Sequence, residues 1–126
     1  LAGCPDAEDL VKVIVLFNLA LAYHLAGLEL TRSCGEEDMA TKRKKQESNK
    51  NKATLLLKRA SELYQLALHL QPTCARSSRA AFAIVTMNNL GSICTSLGDS
   101  KKKDFYLRKL VSTVIFITSK RKGGGA

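Results

Sequence analysis

The side chains able to do chemistry are few and scattered. The chain has two histidines, His24 and His69, and four cysteines, Cys4, Cys34, Cys74 and Cys94. A zinc site needs ligands paired at close spacing. No two cysteines form a CxxC pair, and neither histidine is near a cysteine in sequence. Covalent catalysis needs a nucleophile, a base and a group that orients the base. No serine or cysteine here has such companions, and no glycine loop is built to cradle phosphate. His24 reads as a half-buried histidine beside an apolar stripe. His69 reads as a solvent-facing cation near a helix end, where it suits the dipole. These residues imply no enzyme, no cofactor and no metal. Widely spaced cysteines in a chain of this size read as reduced, small hydrophobic residues, which points to the cytoplasm.

The remaining candidates are amides and cations. Asn18 and Asn89 each stand in an apolar run, and an amide can both donate to and accept from a peptide backbone. The basic runs are Lys42-Arg43-Lys44-Lys45, Lys101-Lys102-Lys103 and Lys120-Arg121-Lys122. They could meet phosphates or serve as a nuclear address. No aromatic residues interleave with them, which argues against stacking on single strands.

What must position these residues is helical. The chain has 126 residues and 13.7 kDa, 45% hydrophobic and 25% charged residues, and a net charge of +9 with pI near 9.6. That is one domain with enough apolar matter for a core. Two prolines and abundant Ala, Leu and Lys favour helices. The basic surplus favours acidic partners. Apolar spacing of three and four predicts four helices. The first covers 6–30, with Leu10, Val13, Ile14, Phe17, Leu21, Leu25 and Leu28 on its stripe, Asp6 as cap, and Glu8 and Asp9 at its positive end. Its long apolar run holds Asn18, His24 and Glu29, and reads as a buried helix and not a membrane span. Residues 31–51 read as a long, exposed, polar and basic loop, with extension of the following helix through its basic half as the alternative. The second helix covers 51–71, with Leu56, Ala60, Leu63, Tyr64, Ala67 and Leu70 on its stripe and Pro72 as its stop. The third covers 77–97, with Ala80, Ile84, Met87, Leu90, Gly91 and Cys94, and Gly98-Asp99 ends it. The fourth covers 100–119 through Tyr106, Leu110, Val114 and Ile117, widened by Phe105, Val111 and Phe116. Its β-branched end at 114–118 keeps strand as an alternative there.

The two halves match internally. Residues 18–27 align without a gap with residues 89–98, at an offset of 71, sharing Asn, Leu, a small residue and a terminal Gly. These residues resemble the tetratricopeptide-repeat family. Leu19, Ala20, Tyr23 and Gly27 fit its first helix. Ala60, Tyr64, Ala67 and Pro72 fit its second, and Leu90, Gly91 and Gly98 begin the next repeat. Two departures stand out. The link between the first two helices is far longer than the family's, and the second repeat lacks its closing Ala–Ala–Pro, with Lys103 and Leu110 in the alanine places.

The resemblance implies an all-α fold of antiparallel helical hairpins, stacked as about two TPR-like repeats. The domain would span 10–119, after an N-terminal segment 1–9 and before a basic, Gly-rich, flexible tail 120–126. The absence of an initiator Met and the short repeat count read as marks of an excerpt, and the first residues show no signal peptide. The resemblance further implies a non-catalytic protein–protein interaction module. A groove between first helices would be lined by Asn18, Leu21, His24 and Leu25 with Asn89, Ser92, Thr95 and Ser96, taking a protein or peptide partner, acidic by preference, and no membrane. The family's carboxylate clamp is not seen, since Phe17 and Asn88 flank the asparagines where basic residues would help. The alternative is a basic helical module binding RNA or DNA phosphates. Small residues at helix crossings let backbones approach. On that argument Gly91→Leu is expected to destabilise by about 1–3 kcal/mol through overpacking.

Overall fold

The computed structural model describes residues 7–32, 39–70 and 76–124. They form four helices: α1 (Ala7–Arg32), α2 (Met39–Leu70), α3 (Arg76–Leu97) and α4 (Ser100–Gly124). The described residues hold no strand, and the β-branched segment 114–118 is helical. The fold is all-α, built of helical hairpins. α1 packs on α2, α2 on α3, and α3 on α4.

α1 starts with Glu8 and Asp9 in its first turn, where carboxylates suit the helix dipole. The expected cap, Asp6, and the expected stop of α2, Pro72, lie outside the described residues, as do Cys4, Cys34 and Cys74. The turn between α3 and α4 is fully visible. Gly98 takes φ +75°, the left-handed region open to glycine. The Gly98 amide donates to the Thr95 carbonyl at 3.2 Å and the Asp99 amide to the Cys94 carbonyl at 2.9 Å, the paired bonds of a Schellman ending. Asp99 then caps α4, its Oδ1 accepting from the Lys102 amide at 3.1 Å. That carboxylate offsets the unfavourable run Lys101-Lys102-Lys103 at the positive end of α4. Gly98 is thus a turn residue and not a packing one, since a Cβ there would meet nothing within 4 Å.

Two boundaries differ from the sequence reading. Residues 39–51 belong to α2, so the long loop expected over 31–51 shrinks to the link before Met39. The stretch has almost no apolar residue, yet Ala, Lys, Arg, Gln and Glu are good helix formers and no Gly or Pro interrupts them. Once the packed half of α2 is nucleated, propagation through such residues costs little. The same reasoning carries α4 into Lys120-Arg121-Lys122, and the helix ends at Gly124, within the segment that the sequence reading assigned to a flexible tail.

The core gathers Ala20 from α1, Leu57, Ala60 and Tyr64 from α2, Met87, Leu90, Ile93 and Cys94 from α3, and Tyr106 from α4. Phe17 meets Tyr64 edge-on, ring centroids 5.4 Å apart, and meets Phe82 of α3 at 5.5 Å. Of Gly27 and Gly91, both inside helices, it is Gly27 that sits at a close helix crossing. A Cβ on Gly27 would lie 2.9 Å from Leu57 Cγ and Cδ2 and 3.3 Å from the Ala53 carbonyl oxygen, whereas one on Gly91 would meet nothing within 4 Å. The expected crossing at Gly91 is therefore absent, and so is the reason for overpacking there. Gly91→Ala should stabilise by roughly 0.5–1 kcal/mol, because a helix-interior glycine gives up more backbone freedom than alanine. Gly27→Val should destabilise by about 1–3 kcal/mol by pushing on Leu57 and the α2 backbone. Urea denaturation of the two variants checks the pair, and equal midpoints would refute the assignment of the crossing.

Candidate functional site

The polar residues singled out in the sequence divide into a buried set and an exposed set. Tyr64 is fully buried and His24 is 5% exposed. The Tyr64 hydroxyl lies 3.1 Å from His24 Nδ1 on α1 and 3.3 Å from Asn89 Nδ2 on α3. The Asn89 Nδ2 donates to the tyrosine oxygen. The hydroxyl proton can then go to Nδ1 in the tautomer that carries the imidazole's own proton on Nε2. The two rings stand edge to face, 5.8 Å between centroids. Nε2 is buried with no hydrogen-bond partner among the described residues.

The environment of this trio is apolar and holds each group neutral. Burial lowers the His24 pKa below its usual 6.5. Burial raises the Tyr64 pKa, and the Asn89 hydrogen bond opposes it. His24 therefore does not line a groove, and the Asn89 amide is committed to Tyr64. This trio is a structural tie between three helices.

The other expected groove residues lie on the outside. Asn18, Leu25, Ser92, Thr95 and Ser96 are exposed, and Leu21 is half-buried. The Thr95 hydroxyl is spent on the Gly91 carbonyl at 3.0 Å. Among the residues expected to pack repeats, Ala20, Gly27, Ala60, Tyr64, Ala67 and Leu90 are buried and Tyr23 and Gly91 are half-buried. Leu19 is exposed instead, because it falls on the outer side of α1, a step round from Ala20.

Three contacts fix how α1 and α3 sit. Phe17 meets Phe82, His24 and Asn89 share one hydroxyl, and Leu30 and Thr31 line a pocket with Ser96 and Leu97. α1 and α3 thus run parallel and side by side, level at an offset of about 65 residues. Asn18 and Asn89, equivalent in the repeat, are about 9 Å out of step along the axes at ~1.5 Å per residue. The pocket at the far end has a volume of about 310 Å³ and is walled also by Gln46, Asn49, Lys50 and Leu57 of α2. The end of α1 is level with this part of α2. The first turns of α2, with Arg43, Lys44 and Lys45 exposed, project beyond it.

Cys94 is buried, and burial first, then Asp99, raises its thiol pKa, with Lys102 opposing, so the sulfur is held as thiol and not as the reactive thiolate. No group of three His, Cys, Asp or Glu able to hold a metal occurs among the described residues.

Two helices, Glu8–Arg32 and Ala80–Leu97, are long and apolar enough by length and composition to cross a membrane. Of these windows 22% and 28% are buried, and His24 on the first and Asn89 on the second both reach the Tyr64 hydroxyl of α2. The chain matches no family model, no curated protein and no solved structure.

The tie was half legible in sequence. Tyr64 was marked by its spacing to Ala60 and Ala67. His24 and Asn89 were marked as polar residues in apolar runs, which is also the signal of a buried pair.

Two outcomes follow. Tyr64→Phe should cost about 1–3 kcal/mol, since it leaves a buried imidazole nitrogen and a half-buried amide without their partner. Stability should also fall as pH drops below about 6.5: the unfolded chain then binds a proton at His24 that the folded chain refuses until its lower pKa is reached. The slope is at most ~1.4 kcal/mol per pH unit from this group. Denaturation of the wild type and His24→Gln between pH 7.5 and about 5.5 checks this. Parallel pH curves for the two would refute it.

Proposed function

We propose that the chain is a non-catalytic, TPR-like protein-interaction module that takes a peptide or a helix against the face shared by α1 and α3. The observation that carries this reading is the uncovered apolar row of α1. Val11, Ile14, Val15 and Leu25 are exposed and fall in one sector of the helix, with exposed Leu10 at its edge. Contiguous apolar surface of this kind marks an interaction site. Asn18, Ser92 and Ser96 stand on the same two helices and are exposed. They can meet the polar atoms of a bound backbone. The reading supplies affinity from a few apolar anchors and steering from the net charge of +9 toward acidic partners. It places the protein in the cytoplasm, with the basic runs available as a nuclear address.

A second reading rests on the projecting start of α2. Residues 42–52 hold six basic side chains and one acidic one on a helix that continues past the end of α1. A basic helical arm suits RNA or DNA phosphates, with an affinity that falls steeply with salt.

Affinity capture from lysate with the tagged chain, at low and high salt and with and without nuclease, separates the two. The interaction module predicts partners retained under every condition. It also predicts that Val15→Asp with Leu25→Asp, both at exposed positions, reduces retention about tenfold. Partners lost to nuclease or to high salt would transfer the function to the basic arm.

A further inference from the structure

A different groove lies on the other layer of the molecule. α4 turns Lys101, Phe105 and Arg108 toward the C-terminal half of α2, where Leu68 forms the opposite wall. Ala83 and Met87 of α3 make the floor, and the groove holds about 860 Å³. α2 and α4 do not close over α3, because α4 packs on α3 and the apolar seam between the outer helices is left open.

The lining has a definite chemistry. Its bottom is apolar, and Met87 is buried there. Its α4 rim carries Lys101, Arg108 and Lys109 against one carboxylate, Asp104. Phe105 is 52% exposed, and the Lys109 ammonium lies 5.2 Å from its ring centre. An exposed aromatic flanked by cations above an apolar floor is poorly matched to a bare phosphate chain, which would leave Leu68, Met87 and Phe105 unsatisfied. It is matched to a helix with one apolar face and acidic edges. Lys101 and Arg108 are seven residues apart on α4, two turns or about 10 Å. Carboxylates two turns apart on a bound helix would face both.

We propose that the α2–α3–α4 groove is a docking site for an acidic amphipathic helix of a partner protein, with Phe105 as apolar anchor and Lys101, Arg108 and Lys109 as its charge readers. This site is on the opposite layer from the α1–α3 face and does not rest on the reading given for that face.

The probe is a designed, fluorescein-labelled helical peptide of about 18 residues, five turns, with leucines at i, i+3, i+4 and i+7 and glutamates along both edges. Binding is read by anisotropy against the full chain. A version with lysines for glutamates and a version with the same composition in scrambled order are the comparisons. The acidic amphipathic peptide should bind saturably. The lysine version should not bind, and scrambling should weaken binding at least tenfold. Arg108→Glu with Lys109→Glu, and separately Phe105→Ser, should each weaken binding about tenfold while circular dichroism stays unchanged; all three side chains are exposed, so the fold does not need them. Equal binding of the scrambled peptide would reduce the effect to net charge and overturn the site. So would loss of binding in Leu25→Asp but not in the α4 variants, which would move the peptide to the α1–α3 face. If sedimentation shows a dimer that the α4 variants dissolve, the groove belongs to a second copy of the chain, and the acidic-partner assignment is overturned.

Discussion

One hydroxyl group holds three helices in place. Tyr64 projects from α2 into the seam between α1 and α3 and is satisfied by one polar atom from each. The helices can slide only by breaking a buried hydrogen bond, and the low polarity around it makes that costly. The other contacts are apolar and tolerate shifts in register far better. Ala20, Ala60 and Ala67 bring the backbones close, and Gly27 lets Leu57 settle against α1. Yet small apolar faces fit one another in several registers. The tie at Tyr64 is what selects one. Its cost is an imidazole with one nitrogen unsatisfied, a neutral group that the interior can hold more cheaply than a charge.

The packed half of each helix was legible in the sequence because its apolar spacing and its burial have the same cause. Val13, Ala60, Tyr64, Met87, Leu90 and Tyr106 lie inside, on the stripes that the spacing of three and four drew. The stripes overreached at their edges. Leu10, Ile14, Leu25, Phe105, Val111, Val114 and Phe116 belong to the same patterns and are exposed, because four helices in a chain this short have too few neighbours to cover both sides of α1 and α4. The first turns of α2 read as loop, with helix only as the alternative, for the opposite reason. Apolar periodicity reports burial, and a solvated helix held by propensity alone leaves no such trace.

The site residues divided along the same line. A polar residue in an apolar run has two physical readings, a ligand contact on an open face or a satisfied partner inside, and sequence does not separate them. His24 and Asn89 took the inner role because a tyrosine on α2 reaches the height at which both stand. Asn18 follows Phe17, which does reach Tyr64, but it faces the outer side of α1 and stays outside. Gly27 and Gly98 occupy equivalent places in the two halves of the pattern, yet Gly27 meets the Leu57 side chain at a helix crossing while Gly98 turns the chain at φ +75° with nothing near it. A repeat pattern aligns residue types. What each residue touches depends on what the neighbouring element offers.

The stagger between α1 and α3 has a consequence for anything laid across them. The helices are level at an offset of 65 residues while the repeated segments are 71 apart, so equivalent side chains climb from one helix to the next. With a climb of about 9 Å between equivalent positions, the line joining them runs obliquely to both helices. Anything laid along that line would cross the face diagonally, like a strap over two parallel rods, and not square to them.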